Sequence, residues 1–233
     1  MPNDAGRRAL VTGSSSGIGR AIADTLLADG WRVVGFDLGA PTIDHAAFEA
    51  VRVDLTDGAA TDAAAARVGA VSALVHAAGV LRVAPLGALR PDDGALMWRL
   101  QVDALERIAN VVVPAMVDRR DGRVVLIGSR VAQGRAGRSQ YAASKAALIG
   151  LARSWAAEVV ASGVTVNVVS PAATQTAMLQ DPARQAAAPK VPPLGRLIHP
   201  DEVAALVRFL LSASAAPITG QDIAICGGSS LPQ

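Results

Sequence analysis

Short runs of Val, Ile and Leu alternate along the chain with alanine-rich stretches of helical length. Continuous apolar runs of strand length, separated by helices, are what a parallel sheet covered on both faces produces. The pattern predicts strands at 8–12, 32–36, 50–53, 73–76, 124–127, 164–169 and 222–225. Between the first two, Ile18, Ile22 and Leu26 recur every four residues and Gly30 follows as a C-cap, which predicts a helix. A second helix is expected over about 96–117. A third is expected over 139–160, where Ala142, Ala146, Ile149 and Ala156 form a stripe. The link from 37 to 49 is barely the dozen residues a parallel crossover needs, so a loop or one helical turn is expected there. From 181 to 200 the chain is rich in Pro and Ala, with Pro189, Pro192 and Pro193. It reads as part of a short mobile, substrate-side segment over 177–199. No internal repeat or second domain is visible, so 1–233 reads as a single α/β domain with a doubly wound parallel sheet of about seven strands.

Composition narrows this further. Hydrophobic residues are 51% of the 233 but aromatics only 3%, so the core must be built from Ala, Val, Leu and Ile. A charged fraction of 18% excludes intrinsic disorder. Lys and Arg number 22 against 20 Asp and Glu, for a net charge of +2, and no basic stripe appears. Nucleic acid is therefore not the expected partner. No apolar run reaches the roughly 18–20 residues of a membrane span, and the start of the chain lacks the apolar core of a signal peptide. A soluble, cytoplasmic protein with no membrane partner is expected. One cysteine, Cys226, excludes an internal disulfide and a cysteine-based zinc site, and no metal is expected.

Thr12-Gly13-Ser14-Ser15-Ser16-Gly17-Ile18-Gly19 lies between the first strand and the first helix. Glycines there permit a tight turn and close approach of a pyrophosphate, and the helix that follows offers free N–H groups at the positive end of its dipole. An ordinary Gly/Ser turn would look similar, but here a strand precedes, a helix follows and an acid comes later. That acid is Asp37, at the end of Val33-Val34-Gly35-Phe36-Asp37. A carboxylate in this place accepts two hydrogen bonds from an adenosine ribose and repels a 2′-phosphate, which points to a Rossmann-like domain that prefers NAD to NADP.

The chain has one tyrosine, Tyr141, and two lysines, Lys145 and Lys190. With lysine this scarce, composition alone does not supply a lysine four residues after the only tyrosine, and the spacing places both on one helix face. A phenol of pKa about 10 is a poor base at neutral pH, but a neighbouring ammonium favours the phenolate. The pair reads as a tunable proton donor and acceptor. The bland alternative is a surface Tyr–Lys helical pair.

With these residues in hand, the chain resembles the short-chain dehydrogenase/reductase family over nearly its whole length. The family's TGxxxGIG is matched by 12–19 and its YxxxK by Tyr141 to Lys145. The resemblance places the family's catalytic serine on Ser129, one residue closer to the tyrosine than usual, so a small loop deletion is expected. It implies that Tyr141 exchanges a proton with the substrate oxygen, that Ser129 hydrogen-bonds that oxygen, and that Lys145 binds the nicotinamide ribose and keeps the phenol acidic. Hydride then passes between NAD(H) and a secondary alcohol or ketone. The resemblance also implies cofactor contacts from Gly13, Ser15, Ser16, Gly17, Ile18 and Gly19 in the turn, and from Asp37, Asp54 and Leu55 toward the adenine. Ala78, Gly79, Tyr141, Lys145, Pro171 and Thr176 would surround the nicotinamide side. The tail Gly220-Gln221-Asp222 with Gly227-Gly228 fits as well. Packing through long helices, as in the family's tetramers, would make a homotetramer or homodimer, with 222–225 forming a second contact.

Three positions depart from the family pattern. Its NNAG stretch appears as His76-Ala77-Ala78-Gly79, losing amides that brace the sheet; His76 reads as a packed or capping residue. Ala172 replaces the glycine after Pro171. The helix asparagine that holds a relay water aligns with Gln101, or with Asp103 if the alignment slips by two. A longer amide could position that water or impair the relay. Arg130 follows Ser129 directly, and Arg138 lies three residues before Tyr141, both at positions that line the family's substrate pocket. A guanidinium there suits an anionic substrate; a solvated arginine-rich loop is the alternative. Two other readings remain: a nucleotide-binding member with little turnover and a sensing or structural role, and a Rossmann methyltransferase, which leaves the Tyr–Lys helix unexplained.

Overall fold

The computed structural model describes residues 6–179 and 190–231. The strands are β1 (Arg8–Thr12), β2 (Arg32–Asp37), β3 (Phe48–Arg52), β4 (Ala73–His76), β5 (Gly122–Ile127), β6 (Val164–Pro171) and β7 (Asp222–Ile225). All pair in parallel, in the order β3-β2-β1-β4-β5-β6-β7. The order reverses between β1 and β4, and such a switch point opens a crevice at the C-terminal ends of the strands. Register aligns Thr12 with Phe36 on one side and His76 on the other, and His76 with Leu126. The ends of the central strands are therefore level at this crevice.

The helices are α1 (Gly17–Ala28), α2 (Gly58–Val68), α3 (Pro91–Trp98), α4 (Ala104–Arg119), α5 (Ser139–Val159) and α6 (Pro200–Leu210). Alternation along the strands feeds two apolar layers. Leu10, Leu74 and Leu126 pack under α2, α4 and α5 with Leu105, Ile108 and Leu148. Val11, Val33 and Val75 pack under α1 and α6 with Ile22, Leu26, Val203 and Val207. Each of these side chains is almost wholly removed from solvent, a burial of roughly 1.5–3 kcal/mol per large aliphatic group.

Several expectations need correction. The third strand begins two residues earlier than the pattern suggested, because β3 is an edge strand with little buried surface to mark it. The helix expected over 96–117 is two helices joined by a π turn at Arg99–Asp103. Two helices carried no assignment. In α2 the buried residues are Thr61, Ala65 and Val68, too small for a clear apolar period. For α6 the start signals were present: Pro200 in the first turn, with Asp201 and Glu202 after it. The Glu202 carboxylate accepts the His199 N–H at 2.7 Å. The connection between β2 and β3 is a loop, as its length required. Within the 177–199 segment, residues 180–189 lie outside the described residues. Ala177–Leu179 forms a 3-10 turn, and Ile198 pairs with Thr174 in an isolated parallel bridge.

Candidate active site

The glycine-rich turn departs from the end of β1. Gly13 has φ +70° and donates its N–H to the Phe36 carbonyl at 2.8 Å. A Cβ at Gly13 would come within 3.0 Å of the Ala78 backbone, and one at Gly19 would overlap the Gly13 carbonyl. Only hydrogen fits at Gly19, and at Gly13 the positive φ and the close backbone both disfavour a side chain. Ser16 precedes α1 without capping it through its side chain, and no acid lies in the first turn. The helix thus presents uncapped amides and the positive end of its dipole, suited to an anion such as a pyrophosphate. Thr176 leans over this turn, with its methyl 3.2 Å from where a Gly17 Cβ would be.

Asp37 closes β2 beside the turn. Its carboxylate accepts the Ser15 N–H at 2.9 Å and the Gly39 N–H at 2.8 Å, so it is held fixed. Asp54 accepts both the Thr56 hydroxyl at 2.7 Å and the Thr56 N–H at 2.9 Å, bonds that lower its pKa. Two fixed carboxylates therefore flank the end of the crevice next to β2 and β3.

At the other end, Tyr141 and Lys145 occupy successive turns of α5, both buried. The Lys145 Nζ lies 5.9 Å from the centre of the Tyr141 ring and donates to the Ile127 carbonyl at 2.7 Å. Burial pulls the Lys145 pKa down to about 7. Ser129 follows β5, and its Oγ accepts the Val131 N–H at 3.1 Å, which leaves the hydroxyl proton to donate elsewhere. A cavity of about 560 Å³ joins these parts. Gly13, Asp37, Asp54, Ser129, Tyr141 and Lys145 line it, with Ser16 to Gly19, Leu55, Ala78, Gly79, Pro171 and Thr176. Its acidic residues, Asp37 and Asp54, belong to the β2–β3 end, whereas Arg130, Arg135 and Arg138 belong to the segment between Ser129 and Tyr141.

Not every expected residue reaches this cavity. Ser15 is outside the lining; its N–H donates to Asp37 and its carbonyl accepts the Thr42 hydroxyl at 2.8 Å. Gln101 is fully buried and does not line the cavity. Its side-chain nitrogen donates to the Val80 carbonyl at 3.0 Å, while its Oε1 has no hydrogen-bond partner in the structure. A Cβ at Gly79 would sit 3.6 Å from Gln101 Cδ and 3.5 Å from Lys145 Nζ, so both groups back onto Gly79. Asp103 is half-buried and also stays outside the lining. Arg138 is buried on the cavity wall at the start of α5, and Arg130 is half-buried in the 3-10 turn Arg130–Gln133. Val80, Leu81 and Met178 also line the cavity, and as ordinary apolar residues they carried no signal. The bracing expected from the family's amides falls to Thr12, whose Oγ1 accepts the Ala77 N–H at 3.1 Å and the Ala78 N–H at 3.0 Å. His76 packs behind it without exposure.

Comparison with known proteins decides the family. A family model described as enoyl-(acyl carrier protein) reductase matches residues 13–230. The chain belongs to the short-chain dehydrogenase/reductase family. It is 39% identical over 237 residues to the 3-oxoacyl-(acyl-carrier-protein) reductase FabG of Salmonella typhimurium, covering 96% of this chain and 97% of that protein. Identity to the FabG of Escherichia coli is 38% over 240 residues, covering 97% and 98%. A solved structure of a short-chain dehydrogenase/reductase family protein superposes with a TM-score of 0.89 at 33% identity, covering 97% of both chains. The chain is thus an oxidoreductase of this family, whose members bind a nicotinamide cofactor.

Proposed function

We propose that this protein is an NAD-preferring enzyme moving hydride between the cofactor and a secondary alcohol or ketone, with Tyr141 carrying the proton. The observation that carries the reading is the convergence of buried Tyr141 and Lys145 with Ser129 on the cavity that the glycine-rich turn opens. The turn fits a dinucleotide: its glycines leave room for a pyrophosphate, α1 offers uncapped amides, and Asp37 stands fixed where an adenosine ribose would lie. When bound, the nicotinamide gives or takes the hydride at its C4.

In the reductive direction, the Tyr141 hydroxyl donates its proton to the carbonyl oxygen as charge develops there. The Ser129 hydroxyl donates a hydrogen bond to the same oxygen and holds the carbonyl in line. The Lys145 ammonium favours the phenolate that Tyr141 becomes. A lysine titrating near 7 can also pass a proton onward at neutral pH, which an ordinary lysine cannot.

The curated relatives are named for 3-oxoacyl reduction, and a 3-oxoacyl thioester is a ketone of the class this site suits. Arg130 and Arg138 on the wall extend the reading to substrates carrying an anionic group. The enzyme acts, on this reading, as a cytoplasmic homotetramer or homodimer.

Absorbance at 340 nm, with a 3-oxoacyl thioester and with matched neutral and anionic ketones, tests the proposal. NADH should exceed NADPH in kcat/KM by at least about tenfold, a difference of roughly 1.4 kcal/mol that one repulsive carboxylate supplies. Arg138→Ala should raise KM chiefly for the anion. Equal use of both cofactors would remove the role given to Asp37. An equal response of neutral and anionic ketones to Arg138→Ala would make the substrate end apolar. No turnover with any carbonyl or alcohol, despite NAD binding, would favour a sensing or structural role.

A further inference from the structure

Ser170 lies at the crevice end of β6, almost fully buried, and the chemistry above gives its hydroxyl no task. That hydroxyl donates to Asp222 Oδ1 of the neighbouring strand β7 at 2.5 Å. On its other side is Gly128. β5 and β6 stay in register to Ile127 and Val169, so the next pair across the sheet is Gly128 and Ser170. A Cβ at Gly128 would come within 2.6 Å of Ser170 Oγ and 2.5 Å of Val168 Cγ1. Gly128 does not have a positive φ, so space rather than backbone conformation demands glycine there.

Gly128 is the last joint before Ser129. The peptide unit in front of it is tied at both ends: the Ile127 carbonyl accepts Lys145 Nζ at 2.7 Å, and the Gly128 N–H donates to the Val169 carbonyl at 2.8 Å. Beyond that unit the chain leaves β5, and a glycine there is free to sample more conformations than any other residue. Left to itself, this joint would let Ser129 wander. Ser170 Oγ, pinned by Asp222, and Val168 fill the side of Gly128 that its missing Cβ leaves open. The joint is thereby stiffened from outside. Ser129 reaches the cavity wall with its Oγ accepting the Val131 N–H.

We propose that Ser170 is a positioning residue: pinned by Asp222, it holds Gly128 and so sets where Ser129 presents its hydroxyl. The turnover part of its test rests on the function proposed above; the spectroscopic part does not.

Three variants divide the pair. Ser170→Ala removes the hydroxyl, Asp222→Ala removes its acceptor, and Asp222→Asn keeps an acceptor oxygen in place. The Val131 amide reports on Ser129 directly, because it donates to Ser129 Oγ. In nitrogen-15 spectra its signal should move in Ser170→Ala and in Asp222→Ala, and return toward its native position in Asp222→Asn. With a ketone substrate, each alanine variant should lose kcat by at least about fivefold, since a small misplacement of a reacting group is costly. Asp222→Asn should recover most of that loss. Ser170→Ala combined with Asp222→Ala should lose no more than either alone, as two members of one contact do. Ser170 also precedes Pro171 on the cavity wall. An effect through that wall would show in the dissociation constant for NADH, which should instead stay within about twofold. An unmoved Val131 amide, native kcat in Ser170→Ala, losses that add in the combined variant, or NADH affinity falling in step with kcat would each overturn the assignment. So would a changed mass in light scattering of Asp222→Ala, which would make Asp222 an interface residue. Failure of both alanine variants to fold would also overturn it and make the pair structural only. If the native chain shows no turnover, the proposed function fails, and the Val131 amide still decides the role of Ser170.

Discussion

Lys145 carries its amine into a buried site where the effect that shifts it is desolvation, and its folded pKa of about 7 lies well below the ordinary 10.5. Between these values the unfolded chain binds more protons than the folded one, so the folded state gains stability as pH rises across that window and loses it as pH falls back toward 7. Thermal melting of the cofactor-free protein should therefore show a Tm that rises from pH 7 to pH 9 relative to Lys145→Met, in which the group is gone. Parallel pH profiles for the two proteins would mean that Lys145 is solvated after all. His76 works in the same direction at lower pH: with a folded pKa of about 3 against 6.5, its contribution is lost as pH falls through that interval. At this scale the sequence was informative where a residue type is scarce. A single tyrosine followed at four residues by one of two lysines stands out against the composition. On Gln101 it was silent: no pattern discloses that its amide backs onto Gly79 rather than lining the cavity.

Among the elements, the strands and α1 were readable because two-sided burial writes continuous apolar runs and every-fourth-residue spacing into the chain. The π turn was not, because inserting it shifts the apolar phase at a single point inside a long helical stretch. Alanine-rich α2 hid for a different reason, since small side chains blur any period. In α6 the proline and the two acids mark the start, but Pro189, Pro192 and Pro193 just before it give the surrounding stretch the composition of a loop. The element with least freedom is the turn from β1 into α1, where a Cβ at Gly19 has no space against the Gly13 carbonyl. Gly19→Ala should push α1 away from the turn, lowering Tm and weakening NAD binding by at least about tenfold, as measured by calorimetry. Native affinity in that variant would show that the turn adapts and that its tight packing is not required.

For the whole molecule, the sheet brings together residues far apart in the chain: Asp37 and the glycine-rich turn at one end of a single cavity, Ser129 and Tyr141 at the other. Its outer helices leave Val111 of α4 and Phe209 of α6 exposed, with Val160 exposed just beyond α5. Apolar side chains on long helices suit packing between copies, and the expectation is a closed homotetramer or homodimer. Light scattering at micromolar concentration should give two or four times the chain mass of 23.7 kDa; a monomeric mass would remove that expectation. On the proposed function, the phenol of Tyr141 carries the proton in hydride transfer. The most direct measurement is the rate of NADH oxidation at 340 nm by the native protein and by Tyr141→Phe, with NADH affinity determined for both. Tyr141→Phe should fold and bind NADH as the native chain does, while kcat falls by about 10²–10⁴-fold. Near-native turnover in that variant would contradict it.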